Sequence, residues 1–187
     1  MGRPRDTELD AAILRAAAAL LQEGGIGALT FEAVATRAGT SRPAIYRRYD
    51  STTELAVAAL GHVAPTAGAE RTGDPLTDLV AELEAFRTAI TRFQGLNVVA
   101  SILLDTTDDA VKTAYRRDVV QRRRNRLRHI LDDAAEQAPG APDPRDRAAA
   151  VSMCTGSWYA HALAGDDPPP DWPRRTAELL WRALELP

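Results

Sequence analysis

Apolar residues recur along this chain at helical spacing, and runs of β-branched residues are missing. Ile13, Ala17, Leu20 and Leu21 form one stripe, predicting a helix over Thr7–Glu23 that ends at Gly24-Gly25. Thr7 with Asp10 three positions on reads as a capping box. Thr30 is placed to cap a second helix through Ala38, with Val34, Ala35 and Ala38 facing inward, and Gly39 breaks it. Ser41 caps a short third helix whose first turn tolerates Pro43, because no N–H partner is lost there. Ser51 and Glu54 form a second capping box, opening a fourth helix through about Val63.

The segment from Pro65 to Pro75 is rich in Gly, Ala and Thr and marks a candidate boundary. Asp74-Pro75 then starts a helix to about Phe93 with Leu79, Leu83, Phe86 and Ile90 on one side. A short apolar segment, Val98–Leu104, follows Gly95. A long helix is expected from Asp109 to Glu136, with Val120, Leu127, Ile130 and Leu131 as its apolar side. Two proline-rich loops, 138–144 and 165–171, separate it from helices over Arg145–Ala164 and Trp172–Leu186. The pattern therefore predicts an all-α protein of about nine helices, with one domain over 1–62 and a second helical bundle over 63–187.

Composition sharpens this picture. Apolar residues make up 45% of the 187 residues and aromatic ones only 5%; much of the apolar share is alanine, which favours close-packed helices over strands. Cys154 is the sole cysteine, so no intrachain disulfide is possible. No stretch approaches the roughly 18 apolar residues of a membrane span, and the N-terminus lacks the apolar core of a signal peptide. A cytoplasmic protein without a membrane partner is expected. Net charge is −3, a total that argues against nucleic acid. Within 1–62, however, seven arginines offset seven acids, so the excess acid lies downstream. The arginines gather at Arg3/Arg5 and Arg42/Arg47/Arg48, and local placement matters more than the total.

Two short helices around Gly39, the second basic and aromatic, have the layout of a helix-turn-helix that inserts one helix into the DNA major groove. On the third helix Ile45 and Tyr49 sit four apart and face the core. Arg42, Pro43, Ala44, Tyr46, Arg47 and Arg48 are left to point outward. Arg42 is placed to pair with a guanine edge, Pro43 and Ala44 to pack on a thymine methyl, and Tyr46 to donate to a phosphate. Arg47 and Arg48 suit either job; a solvated helix face is the alternative for that pair, and partial core the alternative for Tyr46. Thr30, at a helix N-terminus, suits a phosphate oxygen. Arg3 and Arg5 are a minor-groove arm or a frayed end.

The first ~60 residues resemble the DNA-binding domain of the TetR family of bacterial transcription regulators. The likeness rests on Gly24-Gly25, Leu29-Thr30, Val34-Ala35, Ala38-Gly39, Ser41, the run Ile45-Tyr46-Arg47-Arg48-Tyr49, and Ser51 with Leu55. The later segment Thr155–Leu163 resembles the family's penultimate helix. The resemblance implies a ligand-responsive regulator, usually a repressor, that binds a palindromic double-stranded DNA operator as a homodimer and releases it on binding a small-molecule effector. It implies Thr30, Ser41, Arg42, Pro43, Ala44, Tyr46, Arg47 and Arg48 at the DNA. It places Phe86, Ile90, Phe93, Tyr115, Trp158 and His161 on helices that enclose an effector; ordinary core is the alternative for each. It places the dimer contact on the last two helices, through Val151, Thr155, Trp158, Tyr159, Ala162, Leu180, Trp181 and Leu184. Two positions depart from the family pattern. Thr40 replaces a small aliphatic residue, and Thr52 replaces a lysine that contacts phosphate.

Other chemistry is sparse. The arginines from Arg116 to Arg128 read as a solvated face with acids nearby, or as one arginine turned toward an anionic effector. His62, His129 and His161 lack partners at metal-ligand spacing, so no metal site and no cofactor are expected. No Gly-rich phosphate loop or nucleophile elbow supports an enzyme. A helical small-molecule-binding protein with weakened DNA binding, as Thr52 would allow, is the alternative reading.

Overall fold

A computed structural model describes residues 7–63, 68–92 and 109–187. Every regular element among them is helical. The helices are α1 (Thr7–Gly24), α2 (Phe31–Ala38), α3 (Arg42–Tyr46), α4 (Thr52–Val63), α5 (Pro75–Arg92), α6 (Asp109–Tyr115), α7 (Arg122–Gln137), α8 (Pro144–Ala164) and α9 (Trp172–Ala183). A 3-10 turn, Ile26–Ala28, follows α1, and a π-helical stretch, Arg116–Gln121, joins α6 to α7. The long helix expected over 109–136 is thus interrupted by wider turns. The expected apolar segment 98–104 lies outside the described residues.

The chain divides into two compact units. The first holds α1 to α4 and, beyond the expected 1–62 domain, α6. Its core is Ile13, Ala17, Leu21, Val34, Ile45, Leu55, Ala59 and Val111, all but closed to solvent. Ala16, Ala17 and Ala18 are buried in a row on α1, where their small side chains let neighbouring helices approach. Local chemistry sets the helix ends. The Thr30 hydroxyl accepts from the Ala33 N–H at 3.1 Å, satisfying a donor that the first turn of α2 leaves open. Gly39 closes α2 with φ +64°, the left-handed conformation that glycine adopts without strain. At α4 the Ser51 hydroxyl accepts from the Glu54 N–H at 3.0 Å. The Glu54 carboxylate reaches the Asp50 N–H at 2.7 Å, one residue earlier than a standard box.

The second unit comprises Gly68–Ala89 and Gln121–Pro187. Both Asp-Pro starts are present. Asp74 accepts from the Thr77 N–H at 2.9 Å ahead of α5, and Asp143 from the Arg145 N–H at 2.7 Å ahead of α8. The core runs through Leu79, Leu83, Leu127, Leu131, Cys154 and Ala177. Phe86 is its aromatic centre, with Trp158, Tyr159 and Trp172 rings 5.8–6.0 Å away. The Trp172 indole N–H donates to the Ser157 hydroxyl at 3.0 Å, as a buried indole requires.

Two buried acids on α5 tie this unit together. Asp78 takes Arg71 at 2.7 Å, the Thr72 N–H at 2.7 Å and the Thr72 hydroxyl at 2.8 Å. Arg71 bridges on to Asp133 at 2.6 Å. Glu82 takes two N–H groups of Arg126 at 3.0 and 2.8 Å. Burial pushes the Asp78 carboxyl up, but the Thr72 and Arg71 donors outweigh it and hold it below its ordinary value.

Candidate nucleic-acid interface

The helix-turn-helix is built by α2, the Gly39 turn and α3. Ile45 on α3 is fully buried and pins the short helix to the core. Ser41 caps it in extended conformation, and its hydroxyl makes no cap hydrogen bond. Ser41, Arg42, Pro43 and Arg47 are exposed, as is Thr30 at the head of α2. Tyr46 is exposed too, but its ring stands edge-on to Phe31 with centroids 4.5 Å apart. The Arg42 guanidinium lies 3.8 Å from the Glu32 carboxylate. The neighbouring Tyr46 hydroxyl first, and the Glu32 charge after it, hold the Arg42 pKa above its ordinary value.

Two positions expected to point outward do not. Ala44 is 5% exposed. On a helix of five residues it shares the inner face with Ile45, so its methyl is not presented to a thymine. Arg48 folds back over α3. It forms an ion pair with Asp10 of α1 and donates to the Ala44 carbonyl at 2.9 Å. An arginine at the end of a helix finds unpaired carbonyls there, and Asp10 supplies the charge. Asp10, placed by the sequence in a capping box, thus also ties α1 to the end of α3. Arg37 is likewise engaged, with Glu23 at 2.6 Å, fastening α2 to the end of α1. Arg3 and Arg5 lie outside the described residues.

Residues 13–59 match the family model for bacterial regulatory proteins of the tetR family, and residues 69–180 match that for the tetracyclin repressor-like C-terminal domain. The chain belongs to the TetR family. An uncharacterised HTH-type transcriptional regulator of Mycobacterium tuberculosis, Rv1556, is 31% identical over 72% of this chain. That match covers 64% of the mycobacterial protein's length. The solved TetR family transcription regulator SCO0332 is 30% identical, with a TM-score of 0.64 over 95% of this chain and 97% of its own. SmeT, the repressor of the Stenotrophomonas maltophilia multidrug efflux pump SmeDEF, shares the fold at 20% identity. Its TM-score is 0.65 over 95% of this chain and 90% of its own.

In this TetR-family chain the residues expected at an effector fall in both units. Phe86 and Trp158 meet in the aromatic cluster of the second unit. Arg123 lies over the Phe86 ring, 4.8 Å from its centroid, so it faces an aromatic surface rather than open solvent. Arg124 reaches the Ser152 hydroxyl at 3.3 Å. His161 is half-buried on α8. Ile90 and Tyr115 belong to the first unit, where Tyr115 packs against the core. Phe93 lies outside the described residues. A cavity of about 160 Å³ in the second unit is lined by Gly68, Arg71, Asp78, Glu82, Arg126 and His129, among others. That is below the roughly 300–1,000 Å³ of small-molecule pockets.

Five of the eight residues expected at the dimer contact, Val151, Trp158, Leu180, Trp181 and Leu184, are buried within their own unit, and the other three, Thr155, Tyr159 and Ala162, are half-buried. The most apolar stripe of each helix serves its own core first, and a smaller apolar face remains outside. On α8 an open groove is lined by Ala149, Met153, Gly156 and Ala160. Met153, Leu163 and Leu179 are 58%, 84% and 60% exposed. No group of three or more potential ligand side chains able to hold a metal occurs among the described residues. None of their helices is long and apolar enough to cross a membrane.

Proposed function

We propose that this chain is a ligand-responsive repressor that binds a palindromic operator as a homodimer and leaves it when a small-molecule effector binds. DNA binding is assigned to residues 1–62, and effector binding and dimerisation to 63–187. The observation that carries the reading is α3. Its core face is fixed by Ile45, and Ser41, Arg42, Pro43, Tyr46 and Arg47 stand in solvent on the side that would meet base edges and phosphates. The exposed face of α8 and α9 supports the dimer. A two-fold contact would pair the Gly156–Ala160 groove and Leu179 with the same patch of a second chain. Such a dimer would set its two α3 helices about one DNA turn apart, ~34–36 Å, or at a related spacing. An effector that binds better to a form with the wrong spacing shifts the population away from DNA. SmeT acts on an efflux pump as a repressor, and a structural neighbour is named a flavonoid-responsive regulator; both fit this class of mechanism. The setting would be the cytoplasm, where bacterial DNA is reached directly.

The test is a mobility shift on the inverted repeats found upstream of this chain's own gene, at low and at physiological salt. Palindrome-specific binding that weakens with salt is expected. Binding to no duplex, or equal binding to all, rejects the reading. The second reading, a helical small-molecule-binding protein with weakened DNA binding, is favoured by Thr52, which is exposed at the start of α4 without the phosphate-binding charge. The same shift assay separates the two.

A further inference from the structure

We propose that Glu32 is a positioning residue for base recognition: its carboxylate lies beside the Arg42 guanidinium and favours one orientation of it, so the base preference of Arg42 depends on an acid that itself touches no base. This rests on α3 being the DNA-reading helix. Arg42 is the first residue of α3, and its side chain is 54% exposed. Left alone, such a side chain samples many rotamers. Here its two neighbours are both anchored through α2. Glu32 stands in the first turn of α2, with its carboxylate 3.8 Å from the guanidinium. Tyr46 rises one turn along α3, and its ring is fixed edge-on against Phe31, the residue next to Glu32. Phe31 is 8% exposed and part of the core. Both neighbours of Arg42 are thus placed from α2: Tyr46 through its ring contact with Phe31, and Glu32 by its position in the first turn.

A guanidinium carries five N–H donors in a planar fork, and a guanine edge takes two. A carboxylate on one side leaves donors for a base while favouring the orientations that face it. An arginine already held in place loses less side-chain freedom on docking than a free one. The charge of Glu32 also needs an account, because an acid on a DNA-facing surface repels phosphates. In the first turn of α2 it complements the helix dipole, and beside Arg42 it also offers that guanidinium an orienting charge.

The experiment uses the full chain and a library of randomised ~30-bp duplexes. Wild type, Glu32→Gln, Tyr46→Phe and Arg42→Ala are each allowed to select from it, and the bound pools are sequenced. The base pair whose preference disappears in Arg42→Ala defines the Arg42 contact. At that pair Glu32→Gln and Tyr46→Phe are expected to lose about fivefold or more of the wild-type preference, within the range of one bidentate contact. Other positions should hold, and thermal melting should match wild type. Affinity of Glu32→Gln for a scrambled duplex should rise, since one repulsive charge is gone. Wild-type preference retained at that pair in Glu32→Gln overturns the proposal, as does an equal loss at every position. Selection of nothing by wild type overturns the DNA-reading assignment, and this inference with it.

Discussion

Arg47 and Arg48 are adjacent in sequence, but only Arg47 faces solvent, because Asp10 and the Ala44 carbonyl draw Arg48 back against the first unit. Substitution should separate the two. Arg48→Ala breaks a half-buried ion pair and a helix-end hydrogen bond, so it should lower unfolding stability by about 1–2 kcal/mol, measurable by denaturant titration. Arg47→Ala should leave stability unchanged, weaken binding to all duplexes alike, and reduce the salt slope by about one. The residue scale is where sequence reading was least complete. Exposure of Arg42, Pro43, Tyr46 and Arg47 followed from the spacing of Ile45. The fate of Arg48 did not, because its partner stands 38 positions away on another helix. Glu32 was passed over for the same reason, as was Glu82, whose partner Arg126 stands 44 positions on. Ion pairs between helices leave no periodic trace in the chain. Asp78 gives the clearest pH dependence. Its folded-state carboxyl is held below its ordinary value, which is near 3.9. The stability it contributes is therefore complete above that value and lost as pH falls through the folded one. Asp78→Asn should flatten the acid limb of a stability–pH curve by up to about 1.4 kcal/mol per pH unit, one proton's share.

At the scale of elements, helix ends were far more legible, since capping is local. Thr30, Gly39, Ser51 and the two Asp-Pro pairs all lie where the chain turns. The exceptions are instructive. Asp10, expected in a cap, pairs with Arg48 of another helix, and the π-helical stretch at Arg116–Gln121 falls inside a run whose composition reads as ordinary helix. Two glycines carry different loads. Gly39 has open space around a Cβ but a left-handed backbone. Gly39→Ala should thus cost about 1–2 kcal/mol through backbone strain alone, seen as a lower melting temperature, and Gly39→Asn should cost less. Gly68 is the reverse case. A Cβ there would come within 2.5 Å of the Arg126 side chain and 2.8 Å of the Glu82 carboxylate, so a larger residue would have to displace that ion pair.

At the scale of the whole molecule, most of the residues expected at a dimer contact on α8 and α9 are buried in their own unit. Periodicity reports the strongest stripe, and that stripe is the one a helix buries in its own core. The face that remains open carries Met153, Gly156, Ala160, Leu163 and Leu179. If it joins two copies, light scattering at micromolar concentration should give twice the 20.2 kDa chain mass. The double substitution Met153→Glu/Leu179→Glu should return it to one, with helical content unchanged. A single ~20 kDa species in the wild type would rule the dimer out.

Cys154 sits fully buried on α8, and desolvation pushes its thiol up to about 12. Thiolate is the reactive form, so at neutral pH this sulfur is silent toward maleimides and disulfide reagents until the fold opens. A cysteine introduced at Pro43 or Arg47 would then be the single addressable handle on the native molecule. A fluorophore could be placed beside the reading helix with the natural thiol left where it is, and slow uptake of a second label would time the opening of the surrounding helices.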